Sequence, residues 1–142
     1  MRQDLILLPV GALALLTFLV LTQIPIRRFR AGFAGKVTAD DFKYGESQRV
    51  PGEVAVANRN YMNLLELPVL FYVLSAFAFV TSNVTFTLLV LAWVYVALRA
   101  LHSFIHLTHN TVRQRLVAFA ASNFVLMAMW VVFFVHYFVD RV

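Results

Sequence analysis

Four mainly apolar stretches, Leu5 to Ile26, Tyr61 to Val80, Val84 to Leu107 and Leu116 to Val139, constrain this chain more than any motif does. Each holds about 20 residues, the length at which an α-helix crosses a hydrocarbon layer about 30 Å thick. The rest of the composition agrees: 61% of the 142 residues are apolar and the mean hydropathy is +0.78. A soluble domain is only about 45–50% apolar. The reading is an all-α integral membrane protein in which residues 1–142 form a single transmembrane domain of four helices.

The first span does not read as a cleaved signal peptide. Its leader, Met1-Arg2-Gln3-Asp4, pairs one cation with one anion, and no small-residue cleavage site follows. The net charge of +5 is unevenly spread. Arg27, Arg28, Arg30, Lys36, Lys43, Arg49 and Arg59 surround the first loop, and Arg113 and Arg115 sit in the third. The turn Thr81-Ser82-Asn83 has no cation, and each terminus has a single arginine, Arg2 or Arg141. Positive charge stays on the cytoplasmic side. Both basic loops are therefore expected inside and both termini outside, and the basicity reports topology, with no nucleic-acid partner.

The long first connection, Arg27 to Arg59, is interrupted by Gly32, Gly35, Gly45, Pro51 and Gly52 and is too short for a second domain. The other two are tight, which implies antiparallel neighbours in an up-down bundle. Pro25 is expected to mark the end of the first helix and Pro68 to kink the second. The kink would free a carbonyl near Asn63 and Leu64. Cysteine is absent, so any thiol chemistry needs a thiol from outside.

Glu66 lies inside the second apolar stretch, on one helical face with Asn63 and Arg59. A carboxylate at such depth, about 10 Å from the helix entry at 1.5 Å per residue, needs a partner or a function. On the third helix Tyr95, Arg99, His102, His106, His109 and Arg113 recur at steps of four, three, four, three and four, which places them on one face. Arg99 falls at the depth of Glu66, so the two are expected to pair. A lone buried pair would serve packing and register. The larger set, with Arg113 and Arg115 at its mouth, holds more cations than anions. It suits an anionic ligand that also carries an amine, as a small zwitterionic peptide does.

Arg59-x3-Asn63-x2-Glu66, then Arg99-x2-His102, then an arginine, Arg115, opening the fourth helix, resembles the MAPEG superfamily, membrane-associated proteins in eicosanoid and glutathione metabolism. The likeness covers essentially the whole chain and is closest to the bacterial branch. It implies a homotrimer in the bacterial inner membrane, with glutathione as co-substrate near the cytoplasmic face between neighbouring subunits. It also implies that Arg59, Asn63 and Glu66 hold glutathione, with Glu66 receiving its amino group. Arg99 would support Glu66 or a carboxylate of glutathione, and Arg27 or Arg28 another carboxylate. His102 and His106 would complete the binding set, and Arg115 would stabilise the thiolate. Two positions depart from the pattern: His106 stands where many members have tyrosine, and Arg113 where many have proline.

The implied chemistry is simple, since a thiol attacks as thiolate and a guanidinium at a helix N-terminus favours the charged form. A lipophilic electrophile would arrive from the bilayer, giving a glutathione transferase or peroxidase. The alternative is a non-catalytic relative that keeps the fold and a structural or ligand-binding role. His102, His106 and His109 also align on one face as metal ligands could, with Glu66 as a fourth, but interhelical hydrogen bonding explains histidines more simply, and no metal is assigned. A haem site fails on depth, because His136 lies near the opposite end of its helix.

Overall fold

The computed structural model describes residues 2–139. Arg141, used above to orient the C-terminus, lies outside the described residues. All regular structure among them is helical: a 3-10 turn (Gln3–Ile6), α1 (Leu7–Phe33), a second 3-10 turn (Ala39–Phe42), α2 (Gly52–Leu65), α3 (Pro68–Val80), α4 (Phe86–Leu107) and α5 (Val112–Phe138). Four spans are long and apolar enough to cross a membrane: Gln3–Phe33, Gly52–Val80, Phe86–Leu107 and Val112–Phe138. Leu15, Phe18, Leu116, Phe124 and Val131 are each 60% exposed or more. Contiguous apolar surface of that extent belongs against lipid or another chain rather than water. The chain is an integral membrane helical bundle.

Helix boundaries differ from the expected ones for identifiable reasons. Helix α1 does not stop at Ile26. Pro25 removes a single intrahelical bond, and the helix continues to Phe33, where Gly35 takes φ +70°. That left-handed residue lets the Lys36 N–H reach back to the Ala31 carbonyl at 2.9 Å and closes the helix end. The second span begins at Gly52 rather than Tyr61, and Pro68 does more than kink it. Glu66 leaves the helical region at φ −85°, ψ −106°, so α2 ends at Leu65 and α3 starts afresh with Pro68 in its first turn. Proline has no N–H to give to the Leu64 carbonyl; Leu67, just before it, stays helical at φ −57°, ψ −32°, and the chain breaks one residue earlier, at Glu66.

The core is shared by every span. Leu13 and Val20 of α1, Leu64 of α2, Phe71 and Leu74 of α3, Leu88 and Tyr95 of α4, and Met129 of α5 are almost completely buried together. Tyr95 stacks on Phe71 with ring centroids 4.9 Å apart. Helix α4 packs most extensively on α5, and α1 on α2.

The first loop is folded onto the bundle. Val37 is buried with Ala31 of α1 and Val54 of α2. Asp41 organises the turn: its carboxylate accepts from the Thr38 N–H at 2.8 Å and from the Ser47 hydroxyl at 2.8 Å. Arg28 pairs with Glu46 at 3.3 Å and lies 4.4 Å from the centre of the Phe42 ring.

Candidate functional site

Helix α4 turns its polar stripe into the bundle. Tyr95, Arg99, His102 and His106 are all buried, Arg99 completely. The stripe ends there, because α4 stops at Leu107. Thr108 Oγ1 and Gln114 Oε1 contact His109 at 3.1 and 2.7 Å, and Arg113 is exposed in the first turn of α5.

The break between α2 and α3 explains what Arg99 does. With no continuous helix beyond Leu65, the Asn63 carbonyl lacks its usual intrahelical donor. Arg99 Nη2 donates to that carbonyl at 2.8 Å and to Asn63 Oδ1 at 2.6 Å. A guanidinium at a helix C-terminus also meets the negative end of the helix dipole. The expected ion pair with Glu66 does not form: Glu66 is exposed, and among the described residues no ion pair joins it to Arg99. Charge-pair reasoning sought an opposite charge, whereas the acceptor is the backbone oxygen that the proline break set free. Glu66 remains within electrostatic range of Arg99.

Beside this cap lies a cavity of about 270 Å³ lined by Arg59 and Asn63 of α2, His102 and His106 of α4, and Val112, Arg115, Leu116 and Phe119 of α5. Arg115 enters it from the first turn of α5 and is steadied by Nη1 donation to Asn110 Oδ1 at 2.8 Å. Asn110 holds φ +47°, a conformation asparagine tolerates better than most residues. His102 Nδ1 is 3.1 Å from the Arg115 carbonyl, and the His102 and His106 rings meet edge to face at 5.6 Å. Several buried polar atoms here have no hydrogen-bond partner among the described residues: Arg99 Nε and Nη1, His102 Nε2, His106 Nδ1 and Asn60 Nδ2. The cavity wall is thus cationic; the unpartnered atoms of its own lining are the two imidazole nitrogens, and the unpartnered donors of Arg99 and Asn60 lie behind it.

Five of the eight residues picked out from the sequence, Arg59, Asn63, His102, His106 and Arg115, line this cavity, and Arg99 stands behind Asn63. Two are placed elsewhere. Glu66 is not in the wall. Arg27 donates to the Glu53 carbonyl and the Leu107 carbonyl, both at 2.8 Å, and so ties α1 to α2 and α4. Its reach toward a ligand carboxylate is replaced by two backbone oxygens that no charge count reveals. The sequence reading missed Asn60, which accepts from the Ser103 hydroxyl at 3.2 Å, and Asn110. The Asn60 side chain was detectable as an amide one turn before Asn63; Asn110 carried only a loop signal.

A larger groove of about 740 Å³ runs along Ile24, Phe29, Phe33, Val37 and Phe42, but its one charged side chain, Arg28, is already paired with Glu46. The convergent polar groups belong to the smaller cavity. A family model described as the MAPEG family matches residues 6–135 of the chain. No curated protein and no solved structure matches it.

Proposed function

The chain belongs to the MAPEG family, and from that premise we propose that it is a membrane-bound glutathione transferase or peroxidase acting on a lipophilic electrophile. The observation that carries the reading is the cavity in which Arg115, Arg59, Asn63, His102 and His106 converge from three helices. Glutathione brings two carboxylates, an amine and a thiol. The unpartnered donors at Arg99, behind the wall, suit its anionic groups, and Arg115 at the positive end of α5 suits its thiolate. A guanidinium beside a thiol favours ionisation, and the thiolate is the attacking form.

One chain supplies only part of such a site. Small-molecule pockets hold about 300–1,000 Å³, against about 270 Å³ here. We therefore propose a homotrimer in which a neighbouring subunit closes the cavity. In it the exposed Glu66 receives the amino group of glutathione across the subunit boundary, and Arg27 serves as a brace. The site is proposed to face the cytoplasm from the bacterial inner membrane, with both termini outside and residues 1–142 forming one domain. The decisive experiment titrates the purified protein with glutathione and follows the ultraviolet absorbance of the thiolate. Binding with thiolate formation, and conjugation of a model aryl halide or reduction of a lipid hydroperoxide, is the expected result.

A second reading has its own support. Arg99 is engaged by Asn63, and Glu66 stands outside the cavity, as in a relative that keeps the fold for a structural or ligand-binding role. Glutathione binding without thiolate or turnover would favour it.

A further inference from the structure

Ionising a thiol needs a destination for its proton, and the cavity offers few. Of its polar lining residues, Arg59 and Arg115 are cations with no lone pair to give, and the Asn63 amide is no base. Glu66 does not line it. The two imidazoles of His102 and His106 remain.

The structure distinguishes them. The Arg115 carbonyl can only accept, so the contact at 3.1 Å assigns the proton of the neutral His102 ring to Nδ1. Nε2 is then the bare, basic nitrogen. It is buried, and no donor among the described residues reaches it. The same carbonyl that fixes this tautomer would stabilise a protonated ring, because the Nδ1–H bond becomes charge-assisted. A base oriented by a third group is the arrangement that activates nucleophiles elsewhere. His106 has no such orienting bond; its Nδ1 is buried without a partner. The charged and titratable groups that face this pair are Arg59 from α2, Arg99 within α4 and Arg115 from α5.

We infer that His102 is the proton acceptor of the site, taking the thiol proton on Nε2 while Arg115 holds the sulfur anion. The inference rests on the glutathione reading above. In the step, the S–H bond breaks heterolytically, the electron pair stays on sulfur and the proton moves to Nε2. The thiolate then forms a bond to the electrophilic atom as the leaving group departs with its pair. That group, or water, takes the proton from Nε2 and restores the neutral ring. The negative charge of bound glutathione offsets the added imidazolium among three guanidiniums, so ligand and proton acceptor act together.

The test counts protons. Protein in lipid vesicles is mixed with glutathione in weak buffer containing a pH indicator, and thiolate absorbance is recorded alongside. Wild type should form thiolate without releasing a matching proton. His102→Gln, saturated with glutathione, should release one proton per thiolate. Its thiolate should appear about 10²-fold more slowly, the low end of general-base contributions. His106→Gln should weaken glutathione binding but, once saturated, should still form thiolate without releasing a matching proton. One proton released per thiolate by wild type, or a His102→Gln protein that behaves as wild type, overturns the inference while leaving the thiolate reading intact. Absence of glutathione binding or of thiolate in wild type overturns that reading and this inference with it. Should His102→Gln fail to assemble, nitrogen-15 histidine spectra of wild type serve instead. A bare Nε2 signal that becomes protonated when glutathione is added supports the assignment, and one that stays bare sinks it.

Discussion

Arg115 and Arg113 are two residues apart, yet they occupy different surroundings. Arg115 lines the polar cavity, whereas Arg113 is exposed beside a groove built from Leu98, Leu101 and Val117. Arg115→Ala should leave most glutathione affinity in place and lower kcat by about 10²-fold or more, in the range of losing one charge-stabilising group; steady-state kinetics with a model electrophile decides. Arg115→Lys should recover part of the loss, and Arg113→Ala should cost little. The reverse pattern would transfer the role to Arg113. Arg99 makes a second residue-scale prediction. Replacing it by Met leaves the Asn63 carbonyl and amide without their donor, a loss of about 1–3 kcal/mol for a buried acceptor. In double-mutant cycles read by thermal unfolding, Arg99 should couple to Asn63, while Arg99 and Glu66 should be nearly additive. The sequence showed that Arg99 needed a partner but not which one. Side-chain spacing reveals like and unlike charges on a face, whereas an acceptor created by a broken backbone appears only once the break is seen.

At the scale of elements, four spans were legible because about 20 apolar residues in a row have few other uses. Their ends were not. Pro25 resembled a stop for α1 but was passed, and the true stop was Gly35, a loop glycine among several with nothing in the sequence to single it out. Gly35→Ala meets no atom within 4 Å of its new Cβ. Its cost should therefore be backbone strain alone, about 1 kcal/mol, measurable as a small drop in unfolding temperature with the bundle intact. The Asp41 turn responds to acid. The Thr38 N–H, and after it the Ser47 hydroxyl, hold the Asp41 carboxyl below the usual carboxylate range. A carboxyl lowered by folding stabilises the turn above its unfolded pKa of about 3.9 and loses that contribution as pH falls through the lower, folded value. Hydrogen exchange at Thr38 and Ser47 should accelerate below that point, and Asp41→Asn should speed the same amides at neutral pH. An exchange pattern indifferent to both changes would show that the turn is held by the packing of Val37 and Val54 instead.

For the whole molecule, topology is the claim on which the location of the site depends. The chain has no cysteine, so single reporters are unambiguous: Gln48→Cys should react with an impermeant thiol reagent only from the cytoplasmic side, and Ser82→Cys only from outside. The opposite result would put the cavity on the far face and remove its access to cytoplasmic glutathione. The family and the helical bundle were legible from the whole chain because spacing and hydropathy both survive in a one-dimensional string. The meeting of Arg59, His102, His106 and Arg115 around one cavity was not, since convergence from three helices depends on how they pack. One contact also bears on how the protein is made. Arg27 closes on the Leu107 carbonyl, 80 residues further along the chain. During synthesis that oxygen does not exist until residue 107 has been added, so this end of the first helix waits, half-latched, for a segment still to be translated. A ribosome stalled before residue 107 would hold a nascent chain whose first helix is inserted but not yet fastened, open to the insertion machinery and to its proteases.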